Sequence, residues 1–79
     1  MTTVSIEYFA IFREHAGRDR EQVSTSARTA GELYEELRAR YAFPAVGTVR
    51  VAVNDEFRDW QTPLADGDFV VFIPPVAGG

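Results

Sequence analysis

One stretch of this chain is an unambiguous helix, and it limits what the rest can become. Thr29-Ala30-Gly31-Glu32 is a capping box, with a Thr at the N-cap and Glu three residues on. Behind it Ala30, Leu33, Tyr34, Leu37 and Tyr41 fall at i, i+3, i+4, i+7 and i+11, which makes one apolar stripe. Glu36 and Arg40, four apart in the favourable order, belong to the wet side. Pro44 stops the helix, with Ala42 and Phe43 as exit residues. A helix with one stripe covers one face of one sheet, so the remaining residues must supply that sheet. The expected class is α+β, a mixed sheet of four to five strands packed on one main helix.

The strands can be read from alternation. Val4, Ile6 and Tyr8 alternate with Ser5, Glu7 and Phe9, so the first set faces the core and Phe9 falls on the outer face. Phe12 to Ala16 predicts one short helical turn closed by Gly17. Glu21 to Ser26 reads as a polar edge strand. Val49, Val51 and Val53 alternate with Arg50, Ala52 and Asn54 in a third strand. Asn54-Asp55 suits a turn, and Phe57 to Trp60 a short fourth strand. Pro63-Leu64-Ala65-Asp66-Gly67-Asp68 is a turn cluster leading into Phe69–Ile73, an unbroken run of β-formers.

A helix-containing crossover allows parallel pairing, so the first and last strands, the most apolar, are expected side by side at the sheet centre. With Val70 and Phe72 turned to the helix, Phe69, Val71 and Ile73 lie on the other side. Phe9 and Phe57 are expected beside them. Scattered surface apolars are ordinary, but a contiguous patch marks a protein-binding surface, and the patch is the expectation here.

Composition excludes several kinds of chemistry. At 79 residues the chain makes one domain. A formal charge of −4 argues against nucleic acid as the main partner. The absence of cysteine removes disulfides, thiolate metal ligands and a thiol nucleophile. His15 is the only histidine and reads as a surface residue rather than a metal ligand. Glu35 with Glu36 reads as solvated helix surface, and Asp66 with Asp68 as turn chemistry. No apolar run approaches a membrane span and no signal segment is apparent, so a cytoplasmic location is expected. All eight basic residues are arginine, so no side-chain amine is present to accept an isopeptide bond.

The end of the sequence is the feature with chemical content. Pro74 and Pro75 terminate the last strand, since neither can donate to a ladder. Val76-Ala77-Gly78-Gly79 follows, a thin tail closing on two glycines and a carboxylate. Lacking Cβ atoms, such a tail can thread a channel closed to bulkier residues. Four residues past Pro75 reach roughly 13 Å when extended. A frayed terminus is the plainer reading. A proline-stiffened base leaving a core strand and ending on Gly-Gly favours a reactive C-terminus presented to an enzyme. Residues 1–75 form the expected domain and 76–79 the tail.

Phe9-Ala10 followed by Arg13-Glu14 and Gly17, then Val51-Ala52-Val53-Asn54, then the run from Pro63-Leu64-Ala65-Asp66-Gly67-Asp68 to Phe72-Ile73-Pro74-Pro75-Val76-Ala77-Gly78-Gly79, carry a further signal. Together they closely resemble the small subunits of molybdopterin synthase, the MoaD-type family of ubiquitin-like sulfur carriers. The resemblance covers the whole chain and is most specific at the Asp-Gly-Asp turn, Pro-Pro-Val and Gly-Gly. It implies a ubiquitin-like β-grasp. It also implies that an E1-like activating enzyme uses ATP to adenylate the carboxylate of Gly79. A sulfur donor system then leaves a thiocarboxylate there, and Gly78 gives clearance. The charged tail would enter the large, catalytic synthase subunit, in a heterotetramer, and give sulfur to cyclic pyranopterin monophosphate for molybdenum cofactor biosynthesis. Phe9, Phe57, Phe69, Val71, Ile73, Pro74, Pro75 and Val76 would be the partner-binding residues. No bound cofactor, metal, nucleic acid or membrane partner is implied. Phe69 stands where many relatives carry a charge, which enlarges the outer patch. Related carriers for thiamin, cysteine or tRNA thiolation share fold and tail, and a non-covalent β-grasp binding module remains the alternative of another class.

Overall fold

In the computed structural model, which describes residues 1–74, the elements are β1 (Thr2–Glu7), α1 (Ala10–Ala16), β2 (Arg20–Thr25), α2 (Ala30–Tyr41), β3 (Arg50–Val53), β4 (Glu56–Arg58) and β5 (Phe69–Ile73). The sheet order is β2-β1-β5-β3-β4. β1 and β5 run parallel, with Ser5 opposite Phe69 and Glu7 opposite Val71, while the other neighbours are antiparallel. The last strand is therefore the middle of five, and the polar β2 lies at an edge, both as expected.

Helix α2 begins at Thr29 as expected, but the returning Glu32 bond reaches one residue further back than in a capping box. Thr29 Oγ1 accepts from the Glu32 N–H at 3.2 Å, and Glu32 Oε1 accepts from the Arg28 N–H at 2.8 Å. That hydrogen bond, first, and the Arg28 charge hold the Glu32 carboxyl below its ordinary range. Gly31 is required by a close approach: its N–H donates to the Trp60 carbonyl at 2.8 Å, and a Cβ there would stand 3.0 Å from that oxygen. The stripe residues Ala30, Leu33, Tyr34 and Leu37 are fully buried and Tyr41 partly so. They cover Val4, Ile6, Val23, Val51, Val53, Val70 and Phe72, the inward set of the strands.

Four details differ from the sequence expectation. Helix α1 is longer than one turn, starting at Ala10 and closed by Gly17 at φ 73°. Phe9 is not a strand residue. It is still extended, at φ −122° and ψ 152°, and keeps its outward position, but it serves as the N-cap of α1 because Ala10, at φ 51°, turns the chain immediately after it. Phe43, expected as an exit residue, is 3% exposed and is a hub of the core, with ring centroids 5.1 Å from Phe12 and 5.7 Å from Tyr8. The αL residue Ala42 (φ 58°) folds the chain back and drives Phe43 inward. Finally, β4 stops at Arg58, and Trp60 packs on Tyr34 and Phe72 rather than extending the strand.

Candidate functional site

The candidate site is the place where β5 leaves the sheet, and the geometry there is fixed from both ends of that strand. At the start, the Asp66-Gly67-Asp68 turn is tied to β1. Asp66 Oδ1 accepts from the Thr3 N–H at 2.7 Å, the Gly67 N–H donates to the Thr3 carbonyl, and the Ser5 N–H donates to the Asp68 carbonyl. Asn54, at φ 53° in the two-residue turn between β3 and β4, binds the same turn from the other side. Its Nδ2 donates to Asp68 Oδ1 at 2.9 Å, and its Oδ1 accepts from the Phe69 N–H at 3.0 Å. Both neighbours of β5 are thus locked to its first residue. A one-residue slip would break all of these bonds at once and reverse every side chain of the strand.

At the far end, Phe72 is the last inward residue before Pro74 and is fully buried. Its ring lies 5.0 Å from that of Tyr34, 6.1 Å from Phe12 and 6.2 Å from Trp60. Losing a buried phenylalanine side chain costs on the order of 3–5 kcal/mol, so the strand is held firmly up to the exit.

The other face of the sheet is uncovered. Phe69, Val71 and Ile73 are half-buried and alternate with Val70 and Phe72, as the sequence predicts. Across the sheet Val71 is opposite Ala52, and Ala52 is opposite Phe57, which is 69% exposed. Val71, Ala52 and Phe57 therefore form one apolar row, continued on the other side by Glu7 and Arg20, an ion pair at 3.7 Å. Phe9, 44% exposed, comes two residues after Glu7, and Ile73 two residues after Val71. The parallel register brings these two to the same end of the sheet. Pro74 is half-buried. The other tail residues assigned to the site, Pro75, Val76, Gly78 and Gly79, lie outside the described residues.

Two residues of this surface had escaped the sequence reading as site members. Ala52 bridges Phe57 to Val71, and Arg50 stands opposite Ile73 at the exit. Only the cross-strand register reveals either one; their identities alone carry no signal.

The titratable groups displaced from their ordinary range by burial are on the covered side of the sheet. Burial, then the Glu21 carboxylate, pushes the Tyr8 hydroxyl far up, and burial likewise raises Tyr34 and Tyr41. The uncovered face thus offers an apolar surface and a strand end, and its arrangement suits docking rather than acid–base chemistry. Among the described residues, no three His, Cys, Asp or Glu side chains converge as a metal site, and no helix is long and apolar enough to cross a membrane.

Comparison with known proteins fits this geometry. A molybdopterin synthase sulfur carrier subunit of Mycobacterium tuberculosis is 38% identical, covering 100% of both chains. A solved complex of subunits 1 and 2 of the molybdopterin-converting factor of Helicobacter pylori contains a chain that superposes with TM-score 0.69 at 28% identity, covering 99% of this chain and 100% of that one. A Caldiarchaeum subterraneum ubiquitin superposes with TM-score 0.65 over 99% of this chain and 98% of its own; at 19% identity it speaks for the fold alone, a ubiquitin-like β-grasp. The model of the ThiS family matches residues 6–79, the exit strand included, and this chain belongs to that family.

Proposed function

We propose that this chain is the sulfur-carrying small subunit of a molybdopterin synthase, working through the main-chain carboxylate of Gly79. The observation that carries the reading is the full-length likeness to the Mycobacterium tuberculosis carrier subunit, together with an exit strand anchored at both ends beside an uncovered apolar face. The partner is the large synthase subunit, a reading supported by the Helicobacter pylori complex of subunits 1 and 2. The assembly in this reading is a heterotetramer.

The chemistry follows from the reactivity of acyl groups. A free carboxylate is a poor electrophile. An E1-like enzyme spends ATP to join AMP to Gly79 with release of pyrophosphate, and the acyl-adenylate is attacked with loss of AMP by hydrosulfide, or by a persulfide whose S–S bond a thiol then cleaves. The resulting thiocarboxylate is a soft nucleophile, which the tail delivers into the large subunit for transfer to cyclic pyranopterin monophosphate. In this scheme the chain holds no cofactor of its own, and ATP is bound by the activating enzyme. Residues 1–74 act as a rigid mount: they fix where the chain leaves the sheet at Ile73 and Pro74, and they offer Phe9, Phe57, Phe69, Val71, Ile73 and Pro74 to whichever enzyme receives the tail.

The test is intact-mass spectrometry after incubation with an activating enzyme, ATP and a sulfur source. A gain equal to oxygen replaced by sulfur, lost again on incubation with the large subunit and the pterin precursor, is the expected result. An unchanged mass in the presence of an enzyme active on its own carrier would leave only a binding module.

A further inference from the structure

The ladder between β3 and β4 ends at the Val51–Arg58 pair. Beyond it the two segments diverge and leave an open groove of about 600 Å³, lined by Thr48, Arg50, Phe57, Arg58, Asp59 and Trp60 among others. The groove adjoins the exit, since Arg50 is the register partner of Ile73, and it shares Phe57 with the apolar row.

Its charge is unusual for this molecule. The chain has twelve acidic side chains against eight arginines. Among the described residues, seven of those arginines have a carboxylate within 4.0 Å, and Arg50 alone has none. Arg58 is partnered by Glu56 at 3.0 Å. The Asp59 carboxylate on the groove wall is turned to its own loop, accepting from the Gln61 N–H at 2.9 Å and Thr62 Oγ1 at 3.4 Å. An acid-rich chain would ordinarily satisfy an exposed arginine from its own surplus. Here the one left over among the described residues stands opposite Ile73, the last residue of β5.

We propose that Arg50 is a recognition residue for the large synthase subunit, taking a carboxylate from an acidic segment of that subunit laid in the groove between β3 and β4. This rests on the sulfur-carrier reading given above. Guanidinium and carboxylate match in planar, two-bonded geometry, and among the described residues no carboxylate lies within 4.0 Å of Arg50 to compete for it. The apolar row supplies contact area, while a single charge beside the exit orients the partner before the tail is threaded. Such a charge at a rim acts chiefly on association rate and is weakened by salt.

The experiment compares wild type, Arg50→Glu and Arg50→Lys for binding to the purified large subunit, by surface resonance at low and high ionic strength. Thermal melts serve as the folding control, and thiocarboxylate formation is measured alongside. Arg50→Glu is expected to lower the association rate about tenfold or more at low salt, with the deficit shrinking at high salt. Arg50→Lys should recover most of the association rate, which needs only the charge, but dissociate faster than wild type because the two-bonded geometry is lost, and all three proteins should melt alike. Equal association by Arg50→Glu, or a deficit indifferent to salt, overturns the assignment while leaving the carrier function intact. If wild type neither binds the large subunit nor forms a thiocarboxylate, the carrier reading fails and the assignment fails with it.

Discussion

The phenolic oxygen of Tyr41 stands 2.6 and 2.8 Å from the two carboxylate oxygens of Glu21, joining the end of helix α2 to the edge strand β2. The Glu21 side chain is 6% exposed, and its other charged neighbours, Arg18 at 3.6 Å and Arg40 at 4.0 Å, approach less closely. A hydrogen bond to a buried charge is worth about 1.5–3 kcal/mol, and its loss leaves the carboxylate poorly solvated. Tyr41→Phe should therefore destabilise the fold by about that amount in chemical denaturation. Tyr8 makes the contrast: its hydroxyl is buried and has no hydrogen-bond partner among the described residues. Tyr8→Phe should be neutral or stabilising by about 1 kcal/mol, because it removes a polar group that burial penalises.

The same tyrosines set the alkaline limit of the fold. Tyr8, Tyr34 and Tyr41 are all raised from the ordinary 10.0, burial being the largest cause in each case. A raised pKa means that the folded state keeps its proton where the unfolded chain gives it up. Stability from these groups is thus fully present below about pH 10 and is lost as pH climbs from there through the folded-state values. With no lysine in the chain, no ammonium side chain titrates across that window to blur the effect. Melting temperature followed from pH 8 to 11.5 should hold level and then fall. A Tyr41→Phe variant should start lower and fall less.

The outer face and the core should respond oppositely to substitution. Phe57 is 69% exposed, and Phe57→Asp removes little buried area, so its melting temperature should stay within a few degrees of wild type. Ile73→Asp should cost more, about 1–2 kcal/mol, because Ile73 is half-buried. Both should weaken binding to the large subunit by tenfold or more, as expected for apolar anchors at the centre of an interface. Phe72→Ala, one residue from Ile73 but facing the helix, should instead lose on the order of 3–5 kcal/mol of stability. Should Phe57→Asp prove as destabilising as Phe72→Ala, the outer face would be part of a core and not a docking surface.

Much of this architecture was legible in the sequence because it depends on short-range pattern. The capping box located α2, and the alternation through Phe69–Ile73 assigned each side chain to its face. The misplacements came where the backbone takes conformations that pattern does not encode. Phe9 leaves the strand because Ala10 has positive φ, and Phe43 enters the core because Ala42 does; alanine gives no hint of either. Trp60 reads as a strand residue in the sequence because its partners, Tyr34 and Phe72, are distant along the chain and meet it only once the helix has docked. The apolar row depends on register: Ala52 joins Phe57 to Val71 only because Asn54 and Asp68 fix which residues face each other. The tail could be read from sequence as chemistry, but the firmness of its mount could not.

That mount makes the length of the tail a quantity that can be tested. The exit of β5 is fixed by the Asn54–Asp68 lock at one end and by the packing of Phe72 at the other, so the reach of the carboxylate is set by the residues after Ile73. Deleting Gly79 draws the carboxylate back by roughly 3.5 Å. Displacement of a reacting group by even ~1 Å can cost a hundredfold, so adenylation and sulfur transfer should both fall below detection. Replacing Gly78 with a bulky residue should fail for a different reason, steric exclusion from the receiving channel. Neither change touches the residues that hold the fold, so melting temperature and the affinity contributed by Phe57 and Ile73 should be unchanged. The measurement is thiocarboxylate formation by intact mass, followed by sulfur transfer with the large subunit present. Full activity in the Gly79 deletion would mean that the carboxylate of Gly78 serves as well, and the claim that the reach of the tail is fixed at Gly79 would have to be given up; a wild-type chain that forms no thiocarboxylate would end the sulfur-carrier reading.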